Sequence, residues 1–294
     1  MLAITALGRF AGTLTGAAME MLRRSFPPVV RVETTNHCNA ACTFCPREAI
    51  GRAKTFMTDE VYEKIVRECA EHNVKTLHLH NFGEPLLDKK LPDRVKFAKD
   101  LGIAKVKIFC NGALLRGDIA NRLMESGLDE IKISLDGANA KEFNDLRIGL
   151  QHQQVLENTR TFKKMRDERG SGPAVVAACT LTSDKKDTEE ILKGVVDHID
   201  YAKLHNWAGG RKILGSAKVR RPCDRLWRTM TILVNGDVSL CCLDYSGKEI
   251  LGNVTQQTLK EIWTNERYQQ LRAWHRTSQQ HLIPLCNNCS KCYY

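Results

Sequence analysis

The sequence predicts an α/β protein: a run of parallel βαβ units followed by a small α+β segment. Three observations lead there. Strand-like and helix-like stretches alternate six times between residues 29 and 205, as parallel strands with crossover helices do. Beyond residue 222 the rhythm changes to a hairpin signal, Asn235-Gly236, and one long amphipathic helix. Of twelve cysteines, three lie between Cys38 and Cys45 and six between Cys223 and Cys292. The alternation alone suits an open doubly wound sheet and a barrel equally well.

In order, residues 1–28 place Leu7, Phe10, Leu14, Ala18 and Met21 at three- and four-residue spacing. That is an amphipathic helix expected to pack on the main domain. Strands are expected at 29–35, 74–80, 104–109, 130–135, 174–181 and 199–205. Helices are expected at 58–72, 91–101, 119–126, 153–169 and 188–198, the first capped by Thr58. This core spans 29–206, and a glycine-rich basic linker covers 207–222. The last unit, 223–294, holds strands at 230–234 and 238–243 and a helix at 259–274.

Composition narrows the function classes. The 294 residues are 43% hydrophobic and 27% charged, an ordinary globular mixture. Arg9 interrupts the apolar start and no secretory signal is visible, so clustered cysteines read as metal or redox sites and the protein is expected in the cytoplasm. No apolar run approaches a membrane span. A net charge of +10 admits nucleic acid, a membrane surface or a phosphorylated or acidic substrate, but the basic residues are scattered.

The chemistry starts at Cys38-Asn39-Ala40-Ala41-Cys42-Thr43-Phe44-Cys45, directly after the first strand. Thiolates are the usual ligands of iron–sulfur clusters, and three of them leave one iron of a four-iron cluster open. A zinc knuckle is the alternative. Asn81-Phe82-Gly83-Glu84-Pro85 follows the second strand, Cys110-Asn111-Gly112 the third and Ser134-Leu135-Asp136-Gly137 the fourth. Each is an ordinary turn by itself. In this order, behind a C-x3-C-x2-C loop with an aromatic before its last cysteine, the set resembles the radical S-adenosylmethionine (radical SAM) enzymes.

That resemblance selects a partial (β/α)6 TIM-like barrel. It implies that Cys38, Cys42 and Cys45 hold a 4Fe-4S cluster and that Gly83, Glu84, Asn111, Ser134 and Asp136 help bind S-adenosylmethionine, with Phe44 near its adenine. The chemistry implied is reductive cleavage of S-adenosylmethionine to a 5′-deoxyadenosyl radical, which takes hydrogen from a substrate carbon. His205 and Arg211, near the end of the last strand, are candidates to touch substrate; packing at the domain junction is the alternative for His205.

The tail resembles the SPASM or twitch auxiliary-cluster extensions of this family: Cys223 before the hairpin, Gly236 followed by Cys241, then Cys286, Cys289 and Cys292. Six thiols are too few for two fully cysteine-ligated four-iron clusters. The resemblance therefore implies one auxiliary 4Fe-4S cluster on Cys223, Cys241, Cys286 and Cys289, with Cys292 able to replace Cys289. Cys242 is expected on the opposite strand face from Cys241. A zinc ribbon is the alternative. Cys69, Cys110 and Cys179 read as buried small hydrophobes.

A closed auxiliary cluster would accept an electron, giving oxidation of a hydroxyl-bearing carbon to a carbonyl. The expected substrate is a small sugar-, aminocyclitol- or nucleotide-like molecule, with flavodoxin or ferredoxin as electron donor and no nucleic acid. About 28 residues before the first strand are too few for a leader-binding domain, so peptide maturation comes second. A basic zinc-bearing nucleic-acid-binding protein is the reading from another class; with 6% aromatics and no interleaved basic stripe it finds little support.

Overall fold

The computed structural model describes residues 2–210 and 221–292, of which residues 2–10 and 292 are described through the backbone alone. Six parallel strands follow one another in space as in sequence: β1 (Val29–Val32), β2 (Thr76–His78), β3 (Lys105–Cys110), β4 (Glu130–Ser134), β5 (Ala174–Cys179) and β6 (His198–Tyr201). A doubly wound sheet reverses its strand order midway. Here there is no reversal, so the sheet winds in the manner of a barrel. Among the described residues strand β6 pairs only with β5, and the barrel is partial.

The edge of β1 is taken by the tail. Strand β7 (Thr229–Ile232) pairs parallel to β1 with Val29 opposite Thr229, and β8 (Asp237–Ser239) and β9 (Ile250–Asn253) continue antiparallel. All nine strands form one sheet. Valines and isoleucines such as Val30, Leu77, Val106, Ile108, Ile131 and Ile133 are buried in one core with helix residues Ile65, Val66, Val95 and Leu123. Alternate positions give the strands a polar second face: Arg31 on His80 at 3.3 Å, Lys107 on Glu130 at 2.8 Å, and Lys132 on Asp200.

The crossovers are α2 (Asp59–Glu71), α3 (Leu91–Asp100), α4 (Gly117–Glu125), α5 (Ala140–Leu146), α6 (His152–Arg169) and α7 (Lys185–Leu192). Thr58 caps α2, and Gly170 at φ +70° closes α6. Helix α5 is absent from the sequence expectation: it has two turns, and Phe143 is its one buried residue. The helix expected at 259–274 is two, α8 (Leu259–Thr264) and α9 (Glu266–Arg276). Asn265 adopts an extended ψ of 162° and caps α9 by accepting from the Tyr268 N–H at 2.8 Å.

The N-terminal helix α1 (Leu2–Met21) packs against α9, but not through Leu14, Ala18 or Met21 of the expected stripe; the side chains of Leu7 and Phe10 lie outside the described residues. Leu14 and Met21 are 57% and 87% exposed. Gly12 and Gly16 are buried instead, and a Cβ on Gly16 would lie 2.8 Å from Arg276 Cα. Backbones approach that closely only where side chains are missing, so the glycine face wins over the apolar one. Among the described residues no helix is long and apolar enough to cross a membrane.

At the carboxyl end of β1 the fully buried Glu33 ties four segments together. Its carboxylate takes a bidentate pair from Arg52 at 2.7 and 2.9 Å, and accepts the N–H groups of Phe82 at 3.3 Å and Val234 at 3.0 Å. Arg52 also donates to the Tyr245 carbonyl at 3.1 Å. Truncating Glu33 to alanine leaves a guanidinium without its counter-charge, which should destabilise the fold by about 3–5 kcal/mol. Urea unfolding of the Glu33→Ala variant would show this; a loss below about 1 kcal/mol would mean the pair is dispensable.

Candidate active site

The strand ends converge on one cavity of about 360 Å³. Its near wall is the loop with Cys38, Cys42, Phe44 and Cys45, and its floor carries Gly83, Glu84, Asn111 and Ser134. His205, Trp207, Lys203, Arg225 and Lys291 complete the lining. Of the expected site residues, Arg211 lies outside the described residues, as does the side chain of Cys292.

Local chemistry shapes the cysteine loop. Residues Ala41–Cys42 form a two-residue antiparallel ladder with Arg147–Ile148, and the Cys45 N–H closes a turn on the Cys42 carbonyl at 3.0 Å. All three thiols are partly buried. Burial raises each thiol above its ordinary range, Cys45 to about 11. Such groups become thiolates when a metal competes for the proton.

The glycine and carboxylate after β2 have separate structural tasks. Gly83 sits at φ +84°, and a Cβ there would lie 2.6 Å from the Thr35 carbonyl and 2.7 Å from that of His37. The Glu84 N–H then reaches the His37 carbonyl at 2.7 Å, so this turn braces the chain just before Cys38. The Glu84 carboxylate accepts from the Asn111 N–H at 2.6 Å and the Leu86 N–H at 3.0 Å. Burial nonetheless pushes it up to about 7, those hydrogen bonds only partly opposing the rise. The Asn111 side chain donates to Asn39 at 2.8 Å, linking the third strand end back to the cysteine loop.

Asp136 does not line the cavity as expected. One oxygen pairs with Arg147 and the other accepts the N–H groups of Thr180 and Leu181 at 2.5 and 2.9 Å. Its task is to hold Arg147, whose guanidinium lies 5.2 Å over the Phe44 ring and 3.7 Å from Cys42 Sγ. Sequence reasoning missed Arg147, because nothing in its spacing joins it to Cys42, 105 residues earlier. It missed Arg225 and Lys291 as well, although each stands two residues from a cysteine. Cys69, Cys110 and Cys179 are buried, and Cys110 also borders the cavity.

The tail gathers a second thiol group. Strand β8 ends at Ser239, so Cys241 and Cys242 lie in a turn where strand alternation no longer separates them. Cys242 therefore packs with Cys223, Cys241 and Cys289, correcting the expectation that it faces away. Buried Asp244 fixes this turn by accepting from Ser239 at 2.8 Å, Lys248 at 2.9 Å and Glu249 at 3.0 Å. The Leu243 N–H donates to Cys241 Sγ at 3.4 Å, and Arg225 donates to Cys242 Sγ at 2.6 Å. Asn206 hooks the last cysteines to the end of the barrel through Ser290, at 3.0 and 2.9 Å.

The fold and its two cysteine groups define an iron–sulfur enzyme class. The chain belongs to the radical SAM superfamily: that family model matches residues 32–176, and the SPASM iron-sulfur cluster-binding domain matches residues 223–292. The chain is 34% identical over 117 residues to a probable GTP 3′,8-cyclase of Methanopyrus kandleri, covering 40% of this chain and 37% of that protein. This chain thus spans well under half of that relative. It is 22% identical over 265 residues to the S-adenosyl-L-methionine-dependent 2-deoxy-scyllo-inosamine dehydrogenase of Niallia circulans, covering 89% of this chain and 92% of that one. The crystal structure of Streptococcus suis SuiB bound to precursor peptide SuiA shares the fold, with a TM-score of 0.72 and 16% identity over 86% of this chain and 68% of that one.

The cofactors are S-adenosylmethionine, a 4Fe-4S cluster and an auxiliary iron–sulfur cluster. The zinc readings of both cysteine groups give way to this. Among the described residues no three His, Cys, Asp or Glu side chains are grouped to hold a metal ion, so the fit rests on donor chemistry and placement. Soft thiols are the donors such clusters take, and here they stand at a cavity floored by one buried carboxylate.

Gly83→Ala tests the bracing of the loop. The added methyl meets two carbonyls at a left-handed φ and should displace the Cys38 segment. Anaerobically reconstituted variant should lose about four of about eight irons while the tail keeps its own; full iron loading would show that the brace is not needed.

Proposed function

We propose that this enzyme oxidises a small sugar-, aminocyclitol- or nucleotide-like substrate at a hydroxyl-bearing carbon. The observation that carries this reading is a single cavity reaching from the Cys38–Cys45 loop to the flanks of the second thiol group, at Arg225 and Lys291. Similarity to the 2-deoxy-scyllo-inosamine dehydrogenase along nearly the whole of both chains supports it. Cys38, Cys42 and Cys45 would hold the first cluster, and Cys223, Cys241, Cys286 and Cys289 the auxiliary one. When bound, these groups and S-adenosylmethionine would supply one-electron redox chemistry at the substrate carbon.

The chain's own residues arrange the reactants. Glu84 accepts the amino group of S-adenosylmethionine, Gly83 lets its backbone approach, and Asn111 and Ser134 present polar groups beside it. Phe44 and Trp207 exclude water, Trp207 Nε1 donating to the Phe44 carbonyl at 2.7 Å. His205 Nδ1 accepts the Trp207 N–H at 3.3 Å. Burial holds this imidazole down at about 4. It is therefore neutral and carries its hydrogen on Nε2, which makes it a donor toward the substrate and not a base.

Iron counting tests the cluster assignment. Wild type should bind about eight irons and a Cys38/Cys42/Cys45→Ala variant about four, with release of 5′-deoxyadenosine abolished; a variant that keeps eight irons sinks the assignment. Glu84 gives a separate test. Because its carboxyl sits near 7, binding a hydrogen-bond donor below that pH must expel a proton. Affinity for S-adenosylmethionine should fall up to about tenfold per unit below pH 7 and level off above about pH 8. Glu84→Gln should bind weakly and without that slope. A flat wild-type profile would remove Glu84 from the binding site.

A further inference from the structure

The part of the cavity lining beside the tail thiols carries charge that the reaction above does not use. Lys203, Arg225 and Lys291 line it, and among the described residues none of them forms an ion pair with a carboxylate. The one carboxylate among the lining residues, Glu84, is held by the backbone of Leu86 and Asn111. Arg225 has five N–H donors, and Nη1 is spent on Cys242 Sγ. His205 lines the same cavity with its Nδ1 taken by the Trp207 N–H, and its depressed basicity reflects burial and the charges of Lys291 and Arg225. Cations gathered in a partly dry pocket favour an anion that accepts several hydrogen bonds at once.

We propose that the substrate carries an anionic group, a phosphate or a carboxylate, which docks on Arg225, Lys291 and Lys203 with His205 as a neutral donor. The rest of the substrate then points back along the cavity toward the Cys38–Cys45 loop. This deepens the reading above and rests on it. A different use of the same charges is compensation of the thiolates beside them, and the experiment separates the two.

Inorganic phosphate and malonate are titrated calorimetrically into the iron-loaded, S-adenosylmethionine-bound enzyme. Wild type should bind one of them at millimolar concentration or tighter, and which one binds tells phosphate from carboxylate. Arg225→Gln and Lys291→Gln should each weaken that binding about tenfold, with Arg225→Lys retaining most of it. Lys203→Gln, at the exposed rim, keeps the test alive should the Arg225 variants fail to fold. Absence of binding to wild type, or equal binding by all variants, overturns the proposal. So does a shifted auxiliary-cluster potential in Arg225→Gln, read by electron paramagnetic resonance, with anion affinity unchanged. Release of 5′-deoxyadenosine is measured without added anion. Absence of that release with anion binding intact would refute the radical oxidation proposed above and leave the anion site standing.

Discussion

The buried pair of Glu33 and Arg52 is the constraint on which the site geometry depends. A carboxylate at zero exposure is tolerable only when its lone pairs are taken, and this one takes four donors from three other segments. Those donors come from the chain after the cysteine loop, the turn before Gly83 and the tail hairpin. Each segment carries part of the candidate site. Moving any one of them strands a buried charge, so the energetic penalty for misplacing the cysteine loop is paid far from the cysteines themselves.

A second buried pair, Asp136 with Arg147, repeats the device on the other side of the loop. Here the guanidinium faces Phe44 and Cys42 directly, so a positive charge stands where it would stabilise a Cys42 thiolate. Glu84 differs from both carboxylates. It has backbone donors but no bidentate arginine, and its burial leaves it near 7. Two acids are held by arginines and one is left without a cation, which is the physical basis for proposing Glu84 as the carboxylate that meets a ligand.

The legible parts of this sequence were those with local causes. Valine- and isoleucine-rich runs, capped helices and turn motifs at strand ends pointed to the six alternating strands and to Gly83, Glu84, Asn111 and Ser134, which share one cavity. What could not be read depends on contacts between distant segments. Joining of β7 to β1 leaves no periodic trace, and Arg147 reaches Cys42 across 105 residues. Leu14 and Met21 of α1 stand exposed for a related reason: the helix meets Arg276 closely at Gly16, where close approach outweighs hydrophobicity. Cys242 was misplaced because strand periodicity was carried past Ser239, where the strand ends.

The lip between the barrel and the tail shows where the two cysteine groups are coupled. Trp207 and Ala208 both hold left-handed φ values, +50° and +54°, which cost L residues of order 1–3 kcal/mol each. Such strain persists only if neighbouring bonds over-determine it. Those bonds are present: Trp207 reaches the first cysteine loop through the Phe44 carbonyl, while Asn206, one residue earlier, grips Ser290 and Asn288 beside Cys289. The same few residues thus touch both thiol groups and seat His205 in the cavity wall. The lip thus adds a direct tie between the two groups to the one that the shared sheet and the Glu33 contacts already make.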